Sequence, residues 1–166
     1  MNEQATQPAG HKKSSPKDVF LHLLAIITLY VSAGSFVSLL FQYINIYFPD
    51  PLDQGYYTLA GAYQAVRFAV ASLIVMFPAY VITTRFLNQS YKTEPEKRNL
   101  RVRRWLVYFT LFAAGLIMLG DLVTLIYNFL NGDLTTRFAL KILTVLIVAW
   151  SVFWYYFRDL RQHQTE

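Results

Sequence analysis

Apolar residues in this chain fall into four long runs separated by short polar segments, and that spacing sets the architecture before any single residue does. From Val19 to Pro49 no formally charged residue occurs, which is long enough for a tilted spanning helix of about 20 to 25 residues. A second run, from about Leu59 to Thr84, carries Arg67 near its start and then 17 uncharged residues from Phe68 to Thr84. The third covers Trp105 to about Leu130 and the fourth about Thr136 to Phe157. Between the first two, "PDPLDQGYY" holds two prolines, a glycine and two aspartates, and between the last two stands "NGD" at 131–133; both are turn chemistry. The pattern predicts an all-α fold: a polytopic membrane protein with four transmembrane helices in two antiparallel hairpins.

In domain terms, residues 1–17 are polar and lack apolar periodicity, so they read as a disordered tail. The membrane domain is 18–158, with spans of about 19–48, 59–84, 105–130 and 136–157, and 159–166 form a short polar tail. Pro78 is expected to bend the second helix, because it frees the carbonyl of Ile74. Gly61, Ala65 and Ala69 recur every four residues, a small-residue stripe that lets two helices approach closely in lipid. Thr93 followed by Glu96 fits a capping box and places the start of the third helix near Glu94, in water.

Composition agrees with lipid as the solvent: 55% of residues are hydrophobic and only 15% charged, against about 25% in soluble domains. The net charge of +5 raises the question of nucleic acid, but location answers it: the amino tail, the 85–104 loop and the carboxyl end from Arg158 hold 12 of the 15 basic residues. The positive-inside rule then puts both termini and that loop in the cytoplasm, in a multi-pass protein of the plasma membrane. Trp105, Trp154, Tyr155 and Tyr156 fall at the inner interface, and Tyr43, Tyr47, Tyr56 and Tyr57 at the outer one. The basic excess is topological, so no nucleic-acid partner is expected. Lys97, Arg98, Arg101, Arg103 and Arg104 form a polybasic juxtamembrane segment suited to anionic lipid heads.

One competing pattern sits at the amino end. Lysines, the apolar core Val19–Val31 and "VSA" at 31–33 fit a signal peptide cleaved after Ala33. The apolar run, however, continues to Phe48, and the polar region before it is long, so the first helix is expected to be retained.

Charges inside the spans are the chief chemical signal. Arg85 to Arg67 is 18 residues, Arg104 to Asp121 is 17 and Arg158 to Lys141 is 17. Each interval is about 25 to 27 Å of helix, so Arg67, Asp121 and Lys141 share one depth near the outer edge of a core about 30 Å thick. A hairpin about Asn131–Asp133 brings residue 121 opposite residue 142 or so, which would set Asp121 beside Lys141. Arg137, one turn nearer water, is a second partner for Asp121 or snorkels outward. Pairing relieves much of the cost of about 2.5 to 3.5 kcal/mol for an isolated charge at the centre of a bilayer, a cost that is smaller near its surface. Such a layer either fixes helix register or makes a proton- or anion-responsive site. Ser32, Ser35, Ser38 and Gln42 share one face of the first helix, and Asp121, Thr124 and Asn128 one face of the third. Such stripes are expected to bond between helices.

Cofactor chemistry finds little support. The absence of cysteine removes disulfides, thiolate nucleophiles and cysteine-held metal centres. Only His22 lies in a span, since His11 and His163 are in the tails, so bis-histidine haem is not expected, and no Glu-x-x-His pair supports a di-iron site. No other metal or cofactor is expected. His22 reads as an interfacial residue near Asp18, and no histidine lies at the outer level to activate a serine.

The segments "PKDVFLHLLAIITLYVSAGSFVSLLFQYIN", "ASLIVMFPAY" and "RVRRWLVYFTLFAAGLIMLGDLVTLIYNFLNGDLTTRFALK" resemble a family of small four-span microbial membrane proteins known only as a domain of unknown function. The resemblance runs from about Pro16 to Arg161 and implies a four-helix membrane domain without an assigned activity. With no catalytic constellation and minimal loops, the chain is expected to be a non-catalytic binding or assembly module, with a protein partner or further copies of itself. The alternative is a small transporter or ion-conducting oligomer that uses the charged layer.

Overall fold

The computed structural model describes residues 15–48, 59–93, 100–132 and 134–162. They form four helices: α1 (Pro16–Tyr47), α2 (Leu59–Thr93), α3 (Arg101–Leu130) and α4 (Thr136–Gln162). The expected tail before residue 15 and the expected turn at 49–58 lie outside the described residues.

Local chemistry accounts for several of the ends. Pro16 opens α1 at a position where the first backbone N–H groups lack helical acceptors in any case. At the other end of α3, Gly132 has φ of 76°, and its N–H bonds to the Phe129 carbonyl at 3.2 Å while that of Asn131 bonds to Tyr127 at 3.1 Å. A side chain at this left-handed position would be strained, so glycine is the residue that lets the chain turn here. The hydroxyl of Thr135 accepts the N–H of Phe138 at 3.2 Å and caps α4.

Helix α2 corrects one expectation. It does not stop at Thr84 but runs 35 residues to Thr93, about 52 Å, well beyond a core of about 30 Å. Thr93 is therefore a carboxyl-terminal helix residue, its hydroxyl donating to the Gln89 carbonyl at 3.2 Å rather than opening α3. Helix α3 starts at Arg101, and Glu96 lies outside the described residues. Pro78 stands within α2 on its exposed side, and the helix continues through it.

Helix α1 is the hub. It packs most extensively on α2 and also touches α3 and α4, while α3 and α4 pack on each other. Among the described residues α2 approaches no helix backbone except that of α1. Small residues permit that approach, although the face differs from the expected stripe: Ala62 and Ala69 are buried, Ala69 to 1% exposure, whereas Gly61 is exposed. A spacing of seven keeps the two alanines on one side of the helix. Between α1 and α3 lies Thr110, with no exposed surface, whose hydroxyl is 2.9 Å from that of Tyr30.

Most of the remaining apolar surface faces outward. The most apolar stretches of the four helices have mean hydropathy between 1.9 and 2.1, and at most 22% of any one is buried. Phe68 is 75% exposed and Leu130 77%. Water would penalise such a surface by about 25 cal/mol per Å², and a bilayer would not. All four helices are long and apolar enough to cross a membrane, the character of a multi-pass membrane protein.

Candidate functional site

Because among the described residues α2 packs its backbone on α1 alone, a space opens between α2 and the α3–α4 hairpin at the end where α1 begins and α4 ends. It is a cavity of about 80 Å³ to which all four helices contribute, and its polar lining includes His22, Thr84, Tyr91, Arg103, Tyr156 and Asp159. A polar cavity of that size has room for water.

Long polar side chains bridge the gap. His22 and Tyr91 are both buried. The Asp18 carbonyl can only accept, so Nδ1 of His22 donates to it at 2.6 Å; the neutral ring then leaves Nε2 to accept from the Tyr91 hydroxyl at 2.5 Å. The Arg103 guanidinium lies 5.2 Å from the centre of the Tyr91 ring, within cation–π range, and donates to Asp159 at 2.5 Å. A single chain of contacts thus runs from α1 through α2 and α3 to α4. The Thr84 hydroxyl, on the cavity wall, is buried without a hydrogen-bond partner. Nothing in the helical periodicity distinguishes these residues from interfacial ones, although the i, i+4 spacing of Asp18 and His22 was visible. Arg103 is turned inward to Asp159 and is not a free lipid-facing cation, which corrects its place in the polybasic segment. Arg101 and Arg104 are exposed, and Lys97 and Arg98 lie outside the described residues.

At the opposite end, where α1 and α3 end and α2 and α4 begin, stand the charges singled out from the sequence. The Arg103–Asp159 contact fixes the α3–α4 register, and eighteen residues on along each helix lie Asp121 and Lys141. They share a level, but Oδ2 of Asp121 is buried without a hydrogen-bond partner. The Lys141 ammonium is directed over the ring of Phe41, 5.6 Å from its centre. Arg137 donates from Nε to the Asn45 side-chain oxygen at 2.9 Å. Both α4 cations thus meet α1, in antiparallel register: Arg137 with Asn45, Lys141 with Phe41. Arg67 is exposed.

The polar stripes behave differently from expectation. Ser32 donates to the Thr28 carbonyl at 2.7 Å, Thr124 to Gly120 at 2.8 Å and Asn128 to Thr124 at 2.9 Å, all within their own helices. A short polar side chain reaches the carbonyl one turn back without needing a partner helix. Ser35 and Ser38 are half-buried. Gln42 has a buried side-chain oxygen without a partner. Taking the Tyr30–Thr110 contact as the α1–α3 register, Gln42 lies twelve residues further along α1 and Asp121 eleven along α3, so two unsatisfied acceptors fall at one depth.

In comparison with known proteins, residues 18–156 fit a family model described as a domain of unknown function, DUF5671. No curated protein and no solved structure matches the chain.

Proposed function

The chain belongs to the DUF5671 family of domains of unknown function, and on that premise we propose that it is a non-catalytic binding or assembly module of the plasma membrane, with both termini cytoplasmic. The observation that carries this reading is that, among the described residues, α2 packs its backbone on α1 alone, so the cleft toward α3 and α4 is closed by side chains rather than by helix packing. Side-chain bridges part at lower cost than packed helices, and a partner segment gains access there.

A photo-crosslinking residue at Asn88, which is exposed and lines the cleft, tests it in cells. Reproducible capture of one membrane protein, or of a second copy, is the expected result. Crosslinking no stronger than at Phe112, on an exposed face of α3, counts against it. Because the native chain has no cysteine, single introduced cysteines at Lys92 and Asn131 report orientation by labelling from outside the cell.

A second reading, a small transporter or ion-conducting oligomer, is favoured by one feature: Gln42 and Asp121 place unsatisfied acceptor oxygens at the same depth. Cation flux into proteoliposomes that Asp121→Asn abolishes supports it. Absence of flux for every tested ion and small anion removes it.

A further inference from the structure

Thr28, Thr110, Thr124 and Thr144 each donate to the carbonyl four residues earlier, at 2.7 to 2.8 Å. In a helix surrounded by lipid this is how a hydroxyl is satisfied without help from a neighbour. Thr84 on α2 departs from the pattern. Its oxygen is buried and has no hydrogen-bond partner, and the residue stands on the wall of the cavity between α2 and the α3–α4 hairpin. A buried hydroxyl without a partner is costly, so a side chain that forgoes the carbonyl one turn back needs another group to meet it.

The cavity supplies both the space and the other polar contacts. Tyr80, one turn before Thr84, hydrogen-bonds to Tyr155 and Tyr156 of α4, and all three line the cavity. A phenol hydroxyl donates and accepts, so this cluster offers both kinds of contact to a guest. Size then decides what the guest is. The cavity encloses about 80 Å³, whereas a guest as large as a benzene ring takes about 150 Å³. Water takes about 30 Å³ in the liquid, which leaves room for about two or three molecules, and each needs two to four polar partners. Asn88, exposed and also on the lining, lies one turn further along α2 and opens the site toward the end where α1 begins.

We propose that the cavity binds a small cluster of water molecules anchored on the Thr84 hydroxyl, which joins α2 to the Tyr80, Tyr155 and Tyr156 hydroxyls. The last turns of α2 are thereby coupled to the hairpin through exchangeable molecules. The cluster lies in the cleft to which a partner was assigned above, but it stands whether or not a partner enters.

Nuclear Overhauser contacts from water to threonine methyl groups, recorded on the full chain in deuterated detergent micelles, test it directly. A cross-peak is expected at Thr84 and none at Thr110, which has no exposed surface and is bonded to Tyr30 and Leu106. Thr84→Val keeps the shape but removes the anchor, and is expected to lower the folding equilibrium constant about fivefold, the loss of one hydrogen bond. Thr84→Ser is expected to recover most of that loss. A Thr84 methyl as silent as that of Thr110, or a Thr84→Val variant as stable as wild type or more so, overturns the proposal. Crosslinking at Asn88 is a separate readout, so failure to capture a partner leaves these results to stand on their own.

Discussion

Arg103 on α3 and Asp159 on α4 meet at 2.5 Å, with their side chains 15% and 30% exposed, and they tie the last turns of α4 to the first turn of α3. The pair clasps the end of the hairpin where α3 begins and α4 ends. In a double-mutant cycle of Arg103→Gln and Asp159→Asn, each single change is expected to lower stability, and the double to lose less than their sum by about 1 kcal/mol. Reversible unfolding in mixed detergent micelles measures it, and strict additivity would show that the contact contributes nothing.

Asp121 and Lys141 are expected to behave in the opposite way. With Oδ2 of Asp121 unpaired and Lys141 directed over Phe41, Asp121→Asn removes a charge that no hydrogen bond to that oxygen compensates. It should melt at or above the wild-type temperature, and its effect should add to that of Lys141→Met. Recovery of a Lys141→Met loss by the double substitution would instead reveal a stabilising ion pair between them.

Tyr91→Phe keeps the ring beneath Arg103 but takes away the hydroxyl that His22 accepts. The stranded ring nitrogen is expected to cost about 1 to 3 kcal/mol. His22→Leu combined with Tyr91→Phe should cost less than the two separately. A Tyr91→Phe variant as stable as wild type would mean that water in the adjoining cavity satisfies His22 equally well.

Ala69 has 1% of its surface exposed at the α1–α2 contact. Ala69→Leu inserts a side chain where two backbones lie close, and overpacking of this sort costs about 1 to 3 kcal/mol. Since among the described residues α2 packs its backbone on α1 alone, the loss should appear as separation of α1 from α2, followed by disulfide trapping between cysteines introduced at Leu21 and Leu87. The same change at exposed Gly61 is expected to leave trapping intact.

Four long apolar runs were legible because lipid imposes one rule on every residue of a span, and a rule repeated about twenty times outweighs local exceptions. The end of α2 was missed because the segment after Thr84 is polar: charged residues mark where a helix leaves the bilayer, not where it stops. The level shared by Asp121 and Lys141 was equally readable, since it follows from helical rise and one turn. What rise cannot supply is rotation about the helix axis. Rotation sends Lys141 toward Phe41, leaves Arg67 exposed and buries Ala62 in place of Gly61. The cavity around His22 and Tyr91 was hidden for a further reason: its residues come from four helices, and no one-helix pattern assembles them.

The hydroxyls of Thr28 and Ser32 bond to carbonyls of α1 itself, Thr28 to Leu24 at 2.7 Å and Ser32 to Thr28 at 2.7 Å. This bears on biogenesis. The helix that every other one leans on also precedes the other three in the chain, and it enters the bilayer with those polar groups already satisfied. Of the two hydrogen bonds of the His22 ring, the one from Tyr91 must wait for a later segment. The scaffold is therefore ready to receive its neighbours in the order in which translation delivers them.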